Sequence, residues 1–333
     1  MSETSPLREA QEKFVQAVAF RSLARETRNL DQLLGATLHQ AVTAPMDSPP
    51  YPRAIVEGYL VSSASTQSAS EENPVSFNII GSVNPGDANC PDPGKDGAIE
   101  TVTGSVVATG DFAIARMWEC KVDGDKVSVS RPFPPGFFIE AQGCDIAKGS
   151  EILAAGQVLD VVAIGTLASL GLNQAQVCMP PRVAVFASGD EVIPHTDSFR
   201  IGAIYDCNTP MLSAAVNAAG GIAVAKGIQG DDFDAFVKTA RQALQENDML
   251  LISGGTAVGG RDFISDLIRE LGELLVDGVP MKSGRPLIMG IAQGKPIVCV
   301  AGHPPEALRG FRLFGIAAIN RMLGRDLPLP EDN

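Results

Sequence analysis

The sequence has few aromatic residues and few positive charges relative to negative ones. Phe, Tyr and Trp make up 5% of the 333 residues, whereas hydrophobic residues as a whole make up 45%, so we expect cores packed mainly from aliphatic side chains. The net charge of −13 argues against a surface that binds nucleic acid. A chain of this length predicts two or three domains.

Targeting and membrane-spanning segments are also missing from the sequence. It has no stretch of 18 uncharged apolar residues, and its first residues lack the basic and apolar regions of a signal peptide. The six cysteines have no C-x-x-C spacing, and His39, His195 and His303 are far apart. We therefore expect a cytoplasmic protein with reduced thiols, without a zinc site and without a membrane partner.

The sequence pattern of the first part of the chain changes at two places, near residue 44 and near residue 143. Apolar residues spaced along residues 6–24 predict an amphipathic helix, and leucines predict a second helical stretch over Leu30–Leu38. The proline-rich residues 44–53 mark a domain boundary. Residues 143–172 return to a turn–strand–helix pattern, so we expect them to rejoin the N-terminal segment.

Residues 54–142, between these segments, are typical of a small β-rich domain. Turns rich in Gly, Pro, Asn and Asp separate short strand-like segments at Val75–Ile80, Val102–Thr109 and Lys126–Val129. Because the flanking segments have a different pattern, we predict that this domain is an insertion.

From Met179 onward, apolar strands alternate with amphipathic helices. The predicted strands are Val183–Ala187, Ile222–Gly227, Met249–Ile252, a short one near Leu275, Leu287–Ile291 and Pro296–Val300. The predicted helices are Pro210–Ala219, Phe233–Gln245, Phe263–Leu271 and Leu308–Leu323. This alternation predicts an α/β domain with a doubly wound, mostly parallel sheet, which binds ligands at the carboxyl ends of its strands.

The patterns together predict a multidomain α/β protein. Its parts are an N-terminal helix with a segmented linker domain (residues 1–46 and 143–178), the inserted β-rich domain (47–142), the α/β domain (179–327) and a tail (328–333).

The stretch Asp248–Asp262 combines a strand, a glycine-rich turn and the start of a helix. Ser253, Gly254, Gly255 and Thr256 follow the apolar run, and Gly259, Gly260, Arg261 and Asp262 precede the next helical pattern. Backbone N–H groups in such a turn suit an anion such as a phosphate, and a carboxylate at Asp262 suits a metal ion or a hydroxyl. A tight turn without a ligand is the alternative interpretation.

Polar residues follow most of the predicted strands between residues 188 and 306. They are Ser188–Glu191, Asp231, the Gly254–Asp262 loop, Lys282–Arg285 and Gly302–Pro304. Carboxylates bind divalent cations, whereas amides and cations bind phosphate, so the set favours chemistry at a phosphate ester or anhydride. Taken one at a time, each carboxylate also fits a solvated loop charge or a helix cap.

These residues resemble the molybdopterin molybdotransferase family, which includes the E domain of gephyrin. The resemblance runs from about Leu30 to Gly324, and its most specific motifs are Ser188–Glu191, Gly202–Asn208, Asp231-Asp232, Ser253–Asp262 and Met281–Pro286. It implies insertion of molybdate or tungstate into adenylylated molybdopterin, with Mg²⁺ as cofactor and release of AMP. It also implies a homodimer with elongated subunits, in which the cleft lies between the molybdopterin-binding α/β domain of one subunit and the β-rich domain of the other.

The resemblance also implies a set of site residues. The catalytic residues would be Asp262, Asp231, Glu191, Lys282 and Glu57, of which Asp231, Asp262 and Glu191 would bind the metal. The residues that bind the pterin substrate would be Ser253, Gly254, Gly255, Thr256, Gly259, Arg285, Gly302, Pro304, Thr109 and Asp145. A molybdopterin adenylyltransferase and recipient molybdo- or tungstoenzymes would be partners.

Several positions depart from the family pattern. Glu57 replaces an aspartate, Gly278 and Arg285 replace lysines, and His303 replaces an asparagine; the chain also ends at Asn333, where the family continues into a C-terminal β-domain. These departures favour an alternative, a catalytically weak protein that carries the pterin or an oxyanion, or partners an active enzyme. A molybdopterin adenylyltransferase shares the Gly-Gly-Thr…Arg-Asp pattern of residues 254–262, but the inserted domain and the linker segments argue against it.

Overall fold

A computed structural model of the protein describes residues 5–18, 24–255, 263–279 and 285–332. The chain forms two compact units. The first unit contains residues 1–40, 154–164 and 173–333, and the second contains residues 41–153 and 165–172. The domain limits drawn from the sequence remain a prediction.

The first unit is built on a six-stranded sheet. In sheet order its strands are Ile222–Gln229, Arg182–Ser188, Met249–Ser253, Lys295–Val300, Ile288–Ala292 and Glu273–Asp277. The first four are parallel to one another, and the last two join the sheet in antiparallel pairs. Met249–Ser253 and Lys295–Val300 are buried along their whole length, as expected for parallel strands covered on both faces.

Alternate residues of the strand Arg182–Ser188 enter two different cores. Val183 and Val185 pack on one face of the sheet, together with residues of the helices Pro6–Ala17, Asn208–Ala218 and Pro304–Met322. Ala184 and Phe186 pack on the other face, together with the helices Phe233–Glu246 and Phe263–Leu271. Helices on both faces confirm the predicted α/β fold with a doubly wound, mostly parallel sheet.

The C-terminal helix has three segments. An α-helical segment, Pro304–Gly310, continues into a π-helical turn, Phe311–Gly315, and then into Ile316–Met322. The sequence pattern placed its start at Leu308. The helix starts earlier because the first turn of a helix accepts proline, whose missing N–H would have no partner there anyway.

The predictions for the N-terminal segment are only partly right. The helix Pro6–Ala17 begins at Ser5, whose side chain accepts a hydrogen bond from the Arg8 backbone N–H. The helix ends at Ala17, and the Val18 backbone is extended, while residues 19–23 of the predicted helix lie outside the described residues. Arg25–Asn29 is a strand that pairs antiparallel with Gln174–Cys178.

The helix predicted over Leu30–Leu38 is also wrong. Only a short 3₁₀ turn, Leu30–Gln32, is present, and the Leu38 N–H donates to the Gln157 carbonyl at 2.8 Å. Leu33 and Leu38 are still fully buried. The two leucines are buried without a helix because the backbone satisfies its hydrogen bonds with distant segments.

The second unit is built on its own six-stranded sheet. In sheet order its strands are Phe112–Arg116, Gly58–Ser62, Gly97–Thr101, Val75–Val83, Lys126–Val129 and Cys120–Asp123. Short antiparallel pairs join Val42–Thr43 to Glu151–Leu153 and Arg53–Ala54 to Ile139–Glu140. Short 3₁₀ turns span Ala64–Thr66 and Met117–Glu119. A helix spans Val161–Ser169, of which residues 165–169 belong to this unit and residues 161–164 to the first.

The strand predicted at Val102–Thr109 is displaced. The strand in this region is Gly97–Thr101, and a tight turn follows it. The Ser105 hydroxyl accepts from the Val102 N–H at 3.1 Å and donates to the Val102 carbonyl, while the Ser105 N–H bonds the same carbonyl at 2.9 Å. This local bonding by a serine side chain competes with the strand ladder and ends the strand.

None of the helices in the described residues is both long enough and apolar enough to span a membrane.

Candidate functional site

A cavity of about 510 Å³ lies at the carboxyl ends of the parallel strands of the first unit. Each of the four strands contributes residues at or just beyond its end: Ser188 and Glu191, Asp231, Ser253 to Gly255, and Gly302 with Pro304. The remaining lining residues come from adjacent positions and from one further segment of the same chain: Ala187, Gly189, Val192 and Ile204 to Asn208. The position of the cavity is the one that parallel α/β sheets use for ligands.

The cavity brings together seven of the residues predicted from the sequence. They are Glu191, Asp231, Ser253, Gly254, Gly255, Gly302 and Pro304. Four other predicted residues, Thr256, Gly259, Asp262 and Lys282, lie outside the described residues.

Arg285 is not part of the cavity lining. Its guanidinium donates to the Asp277 carbonyl at 2.8 Å and to the Gly278 carbonyl at 2.9 Å and 3.1 Å. Gly278 has a φ of +83°, and a Cβ atom at this position would lie 2.7 Å from the Arg285 Cβ. Position 278 therefore has no room for a side chain while Arg285 holds this conformation.

Two glycines form the wall that follows the strand Met249–Ser253. Gly254 has a φ of +88°, and its N–H donates to the Val300 carbonyl at 3.1 Å. A Cβ atom on Gly254 would lie 2.6 Å from the Ser188 carbonyl oxygen, and one on Gly255 would lie 3.0 Å from the Ser188 hydroxyl. Glycine is required here because the two loops approach each other at backbone distance.

Carboxylates form a second wall of the cavity. Burial of Asp231, followed by the nearby Asp190 and Glu191 carboxylates, raises the pKa of Asp231 above its usual value of 3.8. One oxygen of Asp231, Oδ1, is buried and has no hydrogen-bond partner within the described part of the chain. The Glu191 carboxylate lies against Gly189, where a Cβ atom would come within 2.6 Å of it.

The start of the helix Asn208–Ala218 forms a third wall. The Asp206 carboxylate accepts from the Thr209 N–H at 3.0 Å, and the Asn208 side chain donates to the Gly302 carbonyl at 2.7 Å. The Asn208 Oδ1 and the Ser188 hydroxyl are buried without a hydrogen-bond partner among the described residues. Unsatisfied buried polar atoms that line a cavity indicate a polar ligand or water.

The sequence analysis does not predict this third wall. Its residues belong to the family motif Gly202–Asn208 but are not among the predicted site residues: Tyr205, Asp206, Cys207 and Asn208. The available signal was their place directly before a predicted helix, where backbone N–H groups have no intrahelical partner.

Exposed apolar side chains lie at the edge of the cavity. Ile204 and Tyr205 both line it and are largely exposed. The Tyr205 ring lies 6.1 Å from the Phe199 ring, and its hydroxyl donates to the Asp197 carbonyl at 3.2 Å.

Three predicted residues, Glu57, Thr109 and Asp145, belong to the second unit, and all three are exposed. Asp145, Glu140 and Cys144 have ligand atoms within 4.8 Å of one another; no other group of three His, Cys, Asp or Glu residues in the described ranges is as close. Glu140 forms an ion pair with Arg53. The predicted metal ligands Glu191 and Asp231 are therefore not part of a preformed set of three within those ranges.

The cavity lining has a strongly acidic character. It contains the carboxylates of Glu191, Asp231 and Asp206 but no lysine or arginine from the described ranges. A phosphate at this site therefore needs a cation to offset repulsion from the carboxylates.

Comparison with known proteins assigns both parts of the chain to one family. The profile described as "MoeA N-terminal region (domain I and II)" matches residues 5–171, and the profile described as "Probable molybdopterin binding domain" matches residues 184–321. The chain belongs to the MoeA family. The predicted family resemblance is thus confirmed.

Individual MoeA relatives match almost the whole chain. A molybdopterin molybdenumtransferase from Staphylococcus aureus is 27% identical over 321 residues, which cover 96% of this chain and 76% of the relative. One from Staphylococcus epidermidis is 27% identical over 305 residues, or 91% of this chain and 73% of the relative. The crystal structure of a molybdopterin biosynthesis MoeA protein from Pyrococcus horikoshii superimposes with a TM-score of 0.83 at 31% identity, covering 97% of this chain and 81% of that chain.

Proposed function

We propose that this protein inserts molybdate or tungstate into adenylylated molybdopterin and releases AMP. The broader role follows from its family: it is a molybdopterin molybdotransferase-like enzyme of molybdenum cofactor biosynthesis. The observation that carries the specific reaction is the cavity, whose lining combines carboxylates and glycines at the carboxyl ends of the parallel strands.

The donor atoms of the cavity suit a hard divalent cation such as Mg²⁺. Asp231 offers a buried carboxylate oxygen without a partner, and the Ser188 hydroxyl and the Asn208 Oδ1 offer two more unpartnered oxygens, all among the described residues. Mg²⁺ binds through one or two carboxylates together with water and substrate phosphates, so a complete protein cage is not needed. Glu191, Asp231 and the predicted ligand Asp262 would hold the cation, which would offset negative charge on the phosphate oxygens.

The residues around the cavity would orient the substrate. Gly254 and Gly255 line the cavity without side chains that would shield their peptide groups, so a phosphate could approach the backbone there. Asn208 holds the Gly302 loop against the helix start and keeps its own Oδ1 free for the ligand, in the part of the chain that the structure describes. A fixed arrangement of this kind accelerates a reaction by positioning, since its groups do not have to reorganise.

A second candidate function is that of a carrier, which binds pterin or oxyanion without turnover. The observation that favours it is the position of Arg285, whose guanidinium bonds the Asp277 and Gly278 carbonyls and is absent from the cavity lining. In this arrangement Arg285 does not supply a cation to the described part of the site.

The deciding experiment measures AMP release from adenylylated molybdopterin in the presence of Mg²⁺ and molybdate. We expect molybdate-dependent release by the wild type, loss of release in Asp262→Ala, and retention in Asp234→Ala, which changes an exposed helix carboxylate. Tight pterin binding without AMP release would contradict the enzyme and leave the carrier. Consumption of ATP with molybdopterin would instead identify an adenylyltransferase.

The proposal extends to the partners implied by the resemblance. It includes a homodimer, substrate supply by a molybdopterin adenylyltransferase and delivery to molybdo- or tungstoenzymes. Analytical ultracentrifugation of the purified protein tests the dimer, and a monomer at micromolar concentration would contradict it.

A further inference from the structure

We propose that Asp190 is a positioning residue, which fixes the backbone of Asp231 and thereby aims the Asp231 carboxylate into the cavity. The inference deepens the proposed function and rests on it in one respect, namely that the Asp231 carboxylate binds a divalent cation. Asp190 itself is not part of the cavity lining.

Two hydrogen bonds tie together the loops that follow the neighbouring strands Arg182–Ser188 and Ile222–Gln229. The Gly189 N–H donates to the Gln229 carbonyl at 3.1 Å, and the Asp231 N–H donates to the Asp190 Oδ1 at 3.1 Å. The strands pair in parallel up to Ser188 and Gln229, so these bonds continue the connection beyond the end of the sheet. In the second of these bonds the acceptor is a side chain, the Asp190 carboxylate.

The contact of Asp190 with Gly230 supports the same role. A Cβ atom on Gly230 would lie 2.8 Å from the Asp190 Oδ1, which is closer than van der Waals contact permits. A side chain at position 230 would therefore push the Asp190 carboxylate away from the Asp231 N–H. Gly230 is not in the left-handed region, so the need for glycine here comes from this contact and not from the backbone conformation.

The residue after Asp231 fixes the backbone from the other side. Asp232 is the N-cap of the helix Phe233–Glu246, and its side chain accepts from the Ala235 N–H at 3.0 Å. With Asp190 holding its N–H and the helix cap following it, the main chain of Asp231 is held on both sides. The Asp231 Oδ1 can then remain buried in the cavity without a partner from the described ranges.

Substitutions at Asp190 can distinguish a positioning role, through the hydrogen bond from the Asp231 N–H, from direct metal binding by Asp190. Asp190 holds the Asp231 backbone as a hydrogen-bond acceptor, and asparagine retains an acceptor oxygen at the same place, although it removes the charge that raises the pKa of Asp231. Asp190→Asn should therefore preserve the link, whereas Asp190→Ala and Gly230→Ala should break it by two different routes. A carboxylate that bound the cation directly would lose this function in both Asp190 variants.

The first measurement is amide hydrogen exchange of Asp231 by mass spectrometry with residue-level fragmentation, which needs no substrate. We expect the Asp231 N–H to exchange faster in Asp190→Ala and Gly230→Ala, and at the wild-type rate in Asp190→Asn and in the control Asp234→Ala. Thermal melting of each variant checks that the fold is retained. Wild-type exchange in Asp190→Ala would overturn the proposal.

The second measurement is Mn²⁺ binding, followed by the loss of the signal of free Mn²⁺ in electron paramagnetic resonance. Removal of a residue that orients a metal ligand lowers affinity roughly 10–100-fold, which we expect for Asp190→Ala and Gly230→Ala, with Asp190→Asn within about threefold of the wild type. Equal losses in Asp190→Asn and Asp190→Ala would overturn the positioning role. If the wild type binds no Mn²⁺, the proposed cation site fails, and the exchange of the Asp231 amide alone then decides whether Asp190 positions Asp231.

Discussion

The side-chain amide of Asn208 donates a hydrogen bond to the carbonyl of Gly302 at 2.7 Å. Asn208 begins a helix, whereas Gly302 follows the strand Lys295–Val300, so a single bond joins two walls of the cavity. Asn208 is 9% exposed, and the bond is partly buried.

Replacement of Asn208 by alanine should destabilise the protein and weaken ligand binding together. The Gly302 carbonyl would lose its donor, and the loss of a part-buried hydrogen bond costs about 0.5–1.5 kcal/mol in the free energy of unfolding. Asn208→Asp should be worse, since it places a carboxylate against a carbonyl oxygen. Urea denaturation of both variants tests this, and wild-type stability of Asn208→Ala would contradict it.

The same glycine-to-alanine substitution should have opposite effects at two positions. Gly254 combines a φ of +88° with a backbone oxygen 2.6 Å from where its Cβ would lie, so Gly254→Ala should destabilise by about 1–3 kcal/mol or more. Gly165 lies within the helix Val161–Ser169 with no atom within 4 Å of its Cβ position, so Gly165→Ala should stabilise by about 0.5–1 kcal/mol. Paired thermal melts give the comparison, and two changes of the same sign would refute the explanation.

The raised pKa of Asp231 predicts a stability that falls as pH rises. Burial, Asp190 and Glu191 raise this pKa in the folded state above 3.8, so the folded protein holds the proton more tightly than the unfolded chain does. Below 3.8 the carboxyl is protonated in both states and contributes nothing, whereas above the raised pKa its charge destabilises the fold.

Asp231→Asn should therefore be more stable than the wild type at neutral pH and equally stable below pH 3.8. Thermal melts at both pH values give the result, with Asp234→Asn as a control for an exposed carboxylate. An equal gain in stability at both pH values would show that the charge of Asp231 is not its source.

The lowered pKa of Glu119, in the second unit, predicts a stability that falls as pH falls. A hydrogen bond from Arg116, then one from Arg131, lowers the pKa of Glu119 from 4.5 to about 2. Its contribution to stability is complete above pH 4.5 and disappears as pH falls through about 2. The Glu119 side chain is only 19% exposed, so solvent screens this pair weakly.

Glu119→Gln should lower the free energy of unfolding at neutral pH by about 1–3 kcal/mol and have little effect near pH 2. The matched control is Glu270→Gln, which breaks an exposed pair with Arg241 and should change stability by less than about 1 kcal/mol. Urea titrations measure both, and equal losses at neutral pH would contradict the role of burial.

The parts of the fold that sequence predicted well are those with strong local patterns. Met249–Ile252 is an uninterrupted apolar run between polar residues, and the strand Met249–Ser253 extends only one residue further. The helix predicted over Leu30–Leu38 is wrong because burial of Leu33 and Leu38 is compatible with a helix and with an irregular segment alike. Only the pairing of Leu38 with Gln157, far along the chain, distinguishes the two.

The candidate site likewise has features that a local sequence pattern predicts and features that depend on distant contacts. The rule that polar residues meet at the carboxyl ends of parallel strands is sufficient to bring Glu191, Asp231 and Gly254 to one cavity. The bond from Asp231 to Asp190 spans 41 residues and that from Asn208 to Gly302 spans 94 residues. Such links depend on loop conformations, which no local pattern encodes.

The N-terminal helix Pro6–Ala17 has consequences for the order in which the chain folds during its synthesis. The ring of Phe14 packs edge-on against that of Phe314 at 6.0 Å, and the Gln11 side chain donates to the Leu313 carbonyl 302 residues away. During synthesis this helix therefore cannot make these contacts until residues 313–314 have been added, about 300 residues after the helix itself. Residues 41–153, which belong to the second unit, are all synthesised within that interval, so that unit's sheet can form before the helix packs against its partner.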